Sequence, residues 1–368
     1  MISKGLSTAA AALLLLLAKA AASAPATGNG KVVVDPKRAV CTDPLVRKEW
    51  RNLSQDEQLG YIDAVECMMS TAGRTSSLYA GVVSVYDDYQ ALHIAMTEKI
   101  HFNGPFLPWH RGFLAIWEAD LRATCGYTGA QPYWDWTLDA VSESAWPSSP
   151  LFDDVYGFGG NGAYIADVSN LTQTSAVDDL PGRTGGGCLT SGPFANLTVP
   201  MGPDNSTAST PHCLRRDFTA QLAMQTLNQS LVDWQLEADE FAVYDRRVQA
   251  LDLSLSGITT HGGGHFSVGG MVGELSNMYS SPGDPLFWLH HGKLDFEWNK
   301  WQQLDWPNRS TDIGGPDTMW AYPYNFFGDI PYENITLDYQ LVYGELGTTL
   351  SVSEVMDLEA GALCYTYE

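Results

Sequence analysis

The feature that most constrains this chain is the placement of its eight histidines. Six of them fall into two groups of three, and each group needs distant backbone segments to meet at one point. The first group is His93, His101 and His110. His93 lies near the end of an amphipathic segment, His101 in a turn, and His110 at the start of the next helix, after Asn103-Gly104-Pro105. The second group starts from His261 and His265, which share one face if that segment is helical. It is completed from His290-His291, some 25 residues further on in DPLFWLHHGKLD. Three neutral imidazoles leave a coordination position open, as a catalytic metal site requires. Imidazole suits copper, zinc, iron and nickel alike, so the count names no metal. A lone histidine beside Trp109 is more often a packed core residue than a ligand, and the residues alone do not choose between His290 and His291.

Residues 1–24 have the order of a signal peptide: Lys4, an apolar run from Ala9 to Ala18, then small residues up to Ala24. No later stretch reaches the roughly 18–20 apolar residues of a membrane span. The expected location is extracellular. Six cysteines without CxxC spacing read as three disulfides. Cys188 and Cys213 are expected to close a loop, and Cys364 to tie the C-terminus to the N-terminal arm. Sequons at Asn52, Asn170, Asn196, Asn205, Asn228, Asn308 and Asn334 are candidate glycosylation sites on an exported surface. A formal charge of -23 makes nucleic acid and anionic membranes poor partners. Oligomeric state is not readable.

Ser54-Gln-Asp-Glu57 is a capping box ahead of Leu59, Ile62, Val65 and Met69 at helical spacing. Segments 76–95, 110–124, 216–235 and 284–303 also read as helices. Residues 141–213 are rich in Ser, Gly and Pro, and read as a long decorated excursion from a helical core. No fixed-period repeat or isolating linker appears, so 25–368 is expected to form one domain. Pro108, Trp109, Phe113, Trp117, Trp134, Trp136, Trp288 and Trp298 are candidate core. Asp284 is expected to cap the last helix. Asp295 reads either as orienting a ligand imidazole or as a salt-bridge partner. Glu118 and Arg122 read as an i,i+4 pair, and His212 as a surface residue.

The strings FLPWHRGFLAIWEADLR (106–122), PYWDW (132–136) and SPGDPLFWLHHGKLD (281–295) resemble the copper signatures of the tyrosinase and catechol oxidase family. The resemblance runs from about 41 to 368 and is least secure over 141–213. It implies a mainly α fold whose four-helix bundle core holds a type-3 dicopper centre, with long loops and a few short strands. By it, His93, His101 and His110 bind the first copper, and His261, His265 and His291 the second, leaving His290 to packing. It implies O2 as co-substrate and small phenols as substrates, with catechols, and by the same bidentate geometry o-aminophenols, oxidised to quinones.

Family members that hydroxylate monophenols well tend to carry asparagine directly after the first ligand of the second copper, working with a nearby acid that holds a water. Here that position is Gly262, which has no side chain to orient a base. Asp252 is the upstream candidate for the acid, beside its plainer reading as a surface residue. Weak or absent monophenolase activity is therefore expected. The run Gly262-Gly-Gly264 is expected to leave the copper face uncrowded, and Phe266 is a candidate for contact with the substrate ring. Lys99 stands where many fungal relatives carry a cysteine bonded to the second histidine, so no thioether is expected. Tyr365-Thr-Tyr367 resembles the mark that ends the family's catalytic core, and activation without proteolysis is the corresponding expectation. A true tyrosinase with strong monophenol hydroxylation, reversible O2 carriage as in the related haemocyanins, and a zinc-loaded or vestigial site are the competing readings.

Overall fold

The computed structural model describes residues 41–368 apart from 173, 176, 178, 253, 322, 325–329 and 361, together with the backbone of two short paired strands, β1 (Thr27–Gly28) and β2 (Lys31–Val32). The signal-peptide expectation at 1–24 lies outside the described residues.

The capping box works as read: Ser54 Oγ accepts the Glu57 N–H and Glu57 accepts that of Ser54, opening α1 (Gln55–Ser70). A second box, Ser84 with Asp87, opens α2 (Val85–Ile100). The helix expected from 76 thus begins nine residues later, because the Ser84 cap defines its start. Helix α3 (Phe106–Cys125) begins four residues earlier than expected. Pro108 sits in its first turn, where a missing N–H leaves no gap in the ladder. Gly126, at φ 67°, ends it in the left-handed conformation that glycine adopts without penalty.

The segment 216–235 is two helices, α4 (Ala220–Thr226) and α5 (Gln229–Leu236). Asn228 breaks it by capping α5 through the Leu231 N–H. Then follow α6 (Phe241–Gln249), α7 (Thr260–Gly269), α8 (Leu286–Leu304) and α9 (Trp306–Arg309). The fold is mainly helical, with α2, α3, α7 and α8 as the four-helix core. Its remaining strands are short pairs: β3 (Leu45–Arg47) with β8 (Tyr365–Tyr367) in parallel, β4 (Thr198–Val199) with β5 (His212–Cys213), and β6 (Gln340–Leu341) with β7 (Leu350–Ser351). Among the described residues no helix is long and apolar enough to cross a membrane.

Aromatic rings fill the bundle. Trp117 and Trp288 stack at 4.0 Å between centroids, and Tyr89 meets both edge-on. All the tryptophans expected in the core are buried there. The stretch 141–213 is more than an excursion. Leu151, Phe152, Phe158, Leu189, Phe194 and Val199 are buried in the main core, and Cys188–Cys213 closes the loop. Cys41–Cys364 ties the C-terminus to the N-terminal arm as expected, and Cys67–Cys125 joins α1 to α3.

Of three side-chain expectations the first needs correction, while Asp295 takes its salt-bridge reading and Asp284 caps the last helix as expected. Glu118 does not pair with Arg122: its carboxylate binds the fully buried Arg47 at 2.9 Å, and Arg122 donates to Gly129 O. Asp295 touches no imidazole; it binds Arg111 at 2.5 Å, Arg47 at 3.2 Å and the hydroxyls of Tyr365 and Tyr367. Burial of two arginines demands that charge. Asp284 does accept the Leu286 N–H at 3.0 Å, but its main partner is the buried Arg216, held by two bonds of 2.8 and 2.9 Å.

Candidate metal centre

The two histidine groups converge as the spacing requires. Helix α2 carries His93 and ends at His101; α3 carries His110 in its first turns; α7 presents His261 and His265 one turn apart; α8 presents His291. Within His93, His101, His110, and likewise within His261, His265, His291, one ring nitrogen from each residue lies within 4.8 Å of the others, a spacing that holds one metal ion per triad. The triads face each other. His110 stacks on His291 at 4.4 Å and His101 on His261 at 5.8 Å between centroids.

None of the six is more than 7% exposed. Burial, reinforced by the neighbouring imidazoles, holds His93, His110, His261 and His291 well below the ordinary histidine range. Burial likewise lowers His101 to about 3 and His265 to about 4. The rings are therefore neutral, each with one lone pair to offer. Backbone carbonyls decide which nitrogen offers it. Nδ1–H of His93 donates to Tyr279 O (2.6 Å), of His101 to Thr97 O (3.0 Å), of His110 to Phe106 O (2.8 Å) and of His265 to Leu275 O (2.7 Å). Nε2 is thereby left as the free acceptor, the arrangement that orients a metal-binding imidazole.

The fit to metal rests on those acceptors. Nε2 of His93, His110 and His261 is buried with no protein partner. Nε2 of His265 and of His291 face each other at 3.3 Å. Unpaired buried acceptors are costly, and a cation bound within each triad would satisfy them. His290 stands outside the triad: its Nε2 donates to His261 O at 3.0 Å and braces α7, while its Nδ1 is also buried without a protein partner.

The glycine run serves contact more than openness. A Cβ at Gly264 would lie 2.2 Å from the His290 ring, and one at Gly263 2.5 Å from Thr226 Oγ1. These two glycines admit close neighbours and clear no space at the metal face. Gly262 is the least crowded of the three, but a Cβ there would still press on the ends of Ile258 and Phe266 at 3.2 and 3.3 Å. Phe266 is half-buried in a separate apolar cluster with Ile258, Leu180 and Met271. The rings on the imidazoles belong to residues the sequence reading passed over. Phe106 lies 4.8 Å from His110 and 4.5 Å from His261; Phe287 lies 4.2 Å from His291 and 5.2 Å from His93. Each stands four residues before a triad histidine on its own helix, and that i,i+4 spacing is a legible signal. The carbonyls of Tyr279 and Leu275 carried none.

Asp252 is exposed, its carboxylate accepting from Ser254 N–H at 2.8 Å, as the surface reading has it. His212 is not a free surface residue. It is partly buried and binds the buried Glu274 at 3.0 Å. Of the seven sequon asparagines six are exposed; Asn228 is half-buried, and its amide also donates to Met224 O and Gln225 O.

A helical core that presents two facing, neutral three-imidazole sets defines a binuclear metalloprotein with an open position at each ion. Residues 83–304 match the common central domain of tyrosinase. The chain belongs to the tyrosinase family, and is an oxidoreductase with a dinuclear type-3 copper centre and O2 as co-substrate. It is 37% identical over 359 residues to the N-acetyl-6-hydroxytryptophan oxidase of Emericella nidulans, covering 91% of this chain and 95% of that one. It is 34% identical over 351 residues to tyrosinase P of Aspergillus terreus, covering 89% and 93%. A solved polyphenol oxidase variant from Thermothelomyces thermophila superposes with a TM-score of 0.78 at 31% identity, covering 90% of each chain.

Proposed function

We propose that this enzyme is an exported oxidase of o-diphenols, accepting o-aminophenols, with weak or absent monophenol hydroxylation. In this reading His93, His101 and His110 hold the first copper and His261, His265 and His291 the second. The copper pair, when bound, supplies two one-electron couples and a coordination position for the substrate oxygens. Two o-diphenols give up four electrons and four protons, O2 becomes two waters, and two o-quinones leave. The chain's part is geometric. Carbonyl bonds to Nδ1 aim four Nε2 atoms inward, and Phe106 and Phe287 pack on the rings and exclude water.

The observation that carries the diphenol preference is Gly262, directly after His261, with Asp252 engaged by Ser254 at the surface. A diphenol chelates through two oxygens, whereas a monophenol must first lose its proton to a positioned base. Neither residue supplies one. Oxygen uptake by the copper-loaded protein with 4-tert-butylcatechol and with 4-tert-butylphenol tests this. Turnover of the catechol with little of the phenol is expected, and equal rates at equal active-site concentration would overturn it.

Similarity over nearly the full length to an enzyme named for N-acetyl-6-hydroxytryptophan favours a second reading, oxidation of a hydroxyindole. The same oxygen electrode with that compound separates the two. Export and glycosylation belong to the proposal too, supported by the order of residues 1–24, the three disulfides and six exposed sequons. A secreted product starting near residue 25 and losing mass to an N-glycosidase is the expected result.

A further inference from the structure

The two residues after His101 form a turn that a phenylalanine seldom adopts, with Phe102 at φ 51°. A side chain from α6 grips it. Gln249, the last residue of α6 and buried, accepts the Phe102 N–H on Oε1 and donates through Nε2 to Asn103 O at 3.1 Å. The carboxylate of buried Asp245, one turn back, accepts from the same Nε2 at 2.6 Å and sets which way round the amide sits. On the other side Gly104 N–H donates to Pro316 O at 2.8 Å. His101's own bond to Thr97 O selects its tautomer, but His101 is already in extended backbone at the end of α2 and needs a hold from beyond its helix.

The same turn of α6 also holds the second triad. Val248 O accepts the Thr259 hydroxyl at 2.7 Å, and Gln235, which donates to Arg247 O at 2.8 Å, donates to Thr260 Oγ1 at 3.0 Å. Thr260 directly precedes His261. The end of α6, outside the four-helix core, therefore bridges the two histidines that stack across the gap, His101 and His261.

We infer that Gln249 is a positioning residue that sets the spacing between the two copper half-sites, by clamping the turn after His101 to the helix end that anchors His261. The inference rests on the proposed ligand assignment. Neighbours that orient metal ligands typically change metal affinity or activity by about 10- to 100-fold when lost.

The test uses full-length, copper-loaded protein with Gln249→Met, which keeps the volume and removes every bond. Copper content, the EPR spectrum of the oxidised form, kcat and KM for a catechol, and thermal melting are read. A coupled Cu(II) pair is EPR-silent. Expected for Gln249→Met is EPR-visible Cu(II) or loss of one copper per chain, with kcat down about 10- to 100-fold and KM unchanged. Gln249→Glu, which keeps the acceptor for Phe102, should recover part of the silent spectrum and carries the test if the methionine variant does not fold. Val232→Ala, a core truncation elsewhere in α5, controls for general loosening. Two coppers, a silent spectrum and native kcat in Gln249→Met would overturn the inference, as would the same EPR signal from Val232→Ala. Retention of both coppers by His101→Ala would overturn the ligand assignment beneath it.

Discussion

Within Gly262-Gly-Gly264 the three glycines are not equivalent, and their differences are measurable. Alanine in a helix is about 1 kcal/mol better than glycine. At Gly264 that gain is lost, because the new methyl would sit in the His290 ring, which carries the bond to His261 O. Overpacking of this kind costs about 1–3 kcal/mol. Gly264→Ala should therefore melt lower than wild type and lose copper more readily to a chelator, while Gly262→Ala, pressed only on two flexible side-chain ends, should melt above Gly264→Ala. Gly262→Asn, which adds a side chain able to orient a base next to His261, should raise the ratio of phenol to catechol turnover in the oxygen electrode. Five of the triad histidines were legible from type and spacing, and the choice of His291 over His290 came from the family resemblance of the surrounding string. For Phe266 the sequence left direction open, because successive residues on a helix point about 100° apart, and its contacts are those of the core role, in a cluster apart from the main one.

At the scale of elements, boundaries were legible where a cap marked them, as at Ser54, and missed where apolar periodicity ran on past one, as before Ser84 and across Asn228. Long-range ion pairs were not legible, since Arg47 meets Asp295 across 248 positions. Burial pushes Asp295 up, but Arg111, Arg47 and the two tyrosine hydroxyls outweigh it and hold the carboxyl below its usual range. The stabilisation is thus present above the unfolded value near 4 and lost as pH falls through the lower folded value. Asp295→Asn should cost about 3–5 kcal/mol at neutral pH by leaving two buried arginines short of charge, and should flatten the acid limb of the melting curve. His212 has the opposite sign. Burial lowers it, but Glu274 outweighs that and raises it. Its contribution is full below about pH 6.5 and fades as pH rises through the raised folded value. Melting from pH 5 to 9 should show that decline in wild type and not in His212→Gln.

Across the whole molecule, the bundle and the C-terminal strand are tied in a way that only the structure displays. The apolar residues of 141–213 are scattered among glycines and serines with no period, so their burial in the main core left no pattern to read. The C-terminus has a similar hidden role. Tyr367, on β8, donates to Gly292 O at 3.3 Å, one residue past His291, and Tyr365 and Tyr367 both reach Asp295 on α8. Cys41–Cys364 holds that strand beside β3 from the ends of a 323-residue separation. Removing a native disulfide typically costs about 2–5 kcal/mol, chiefly through the unfolded chain. If the disulfide acts only there, Cys41→Ser with Cys364→Ser should lower the unfolding free energy measured in urea by that amount and leave two coppers and an EPR-silent pair. The alternative is that the bond holds β8 on α8 in the folded state. Hydrogen exchange would then quicken at the β3–β8 amides before global unfolding, and copper would leave with the strand. The buried bonds of Tyr365, Tyr367, Arg47 and Asp295 predict the first outcome, because they keep β8 in place without the sulfurs.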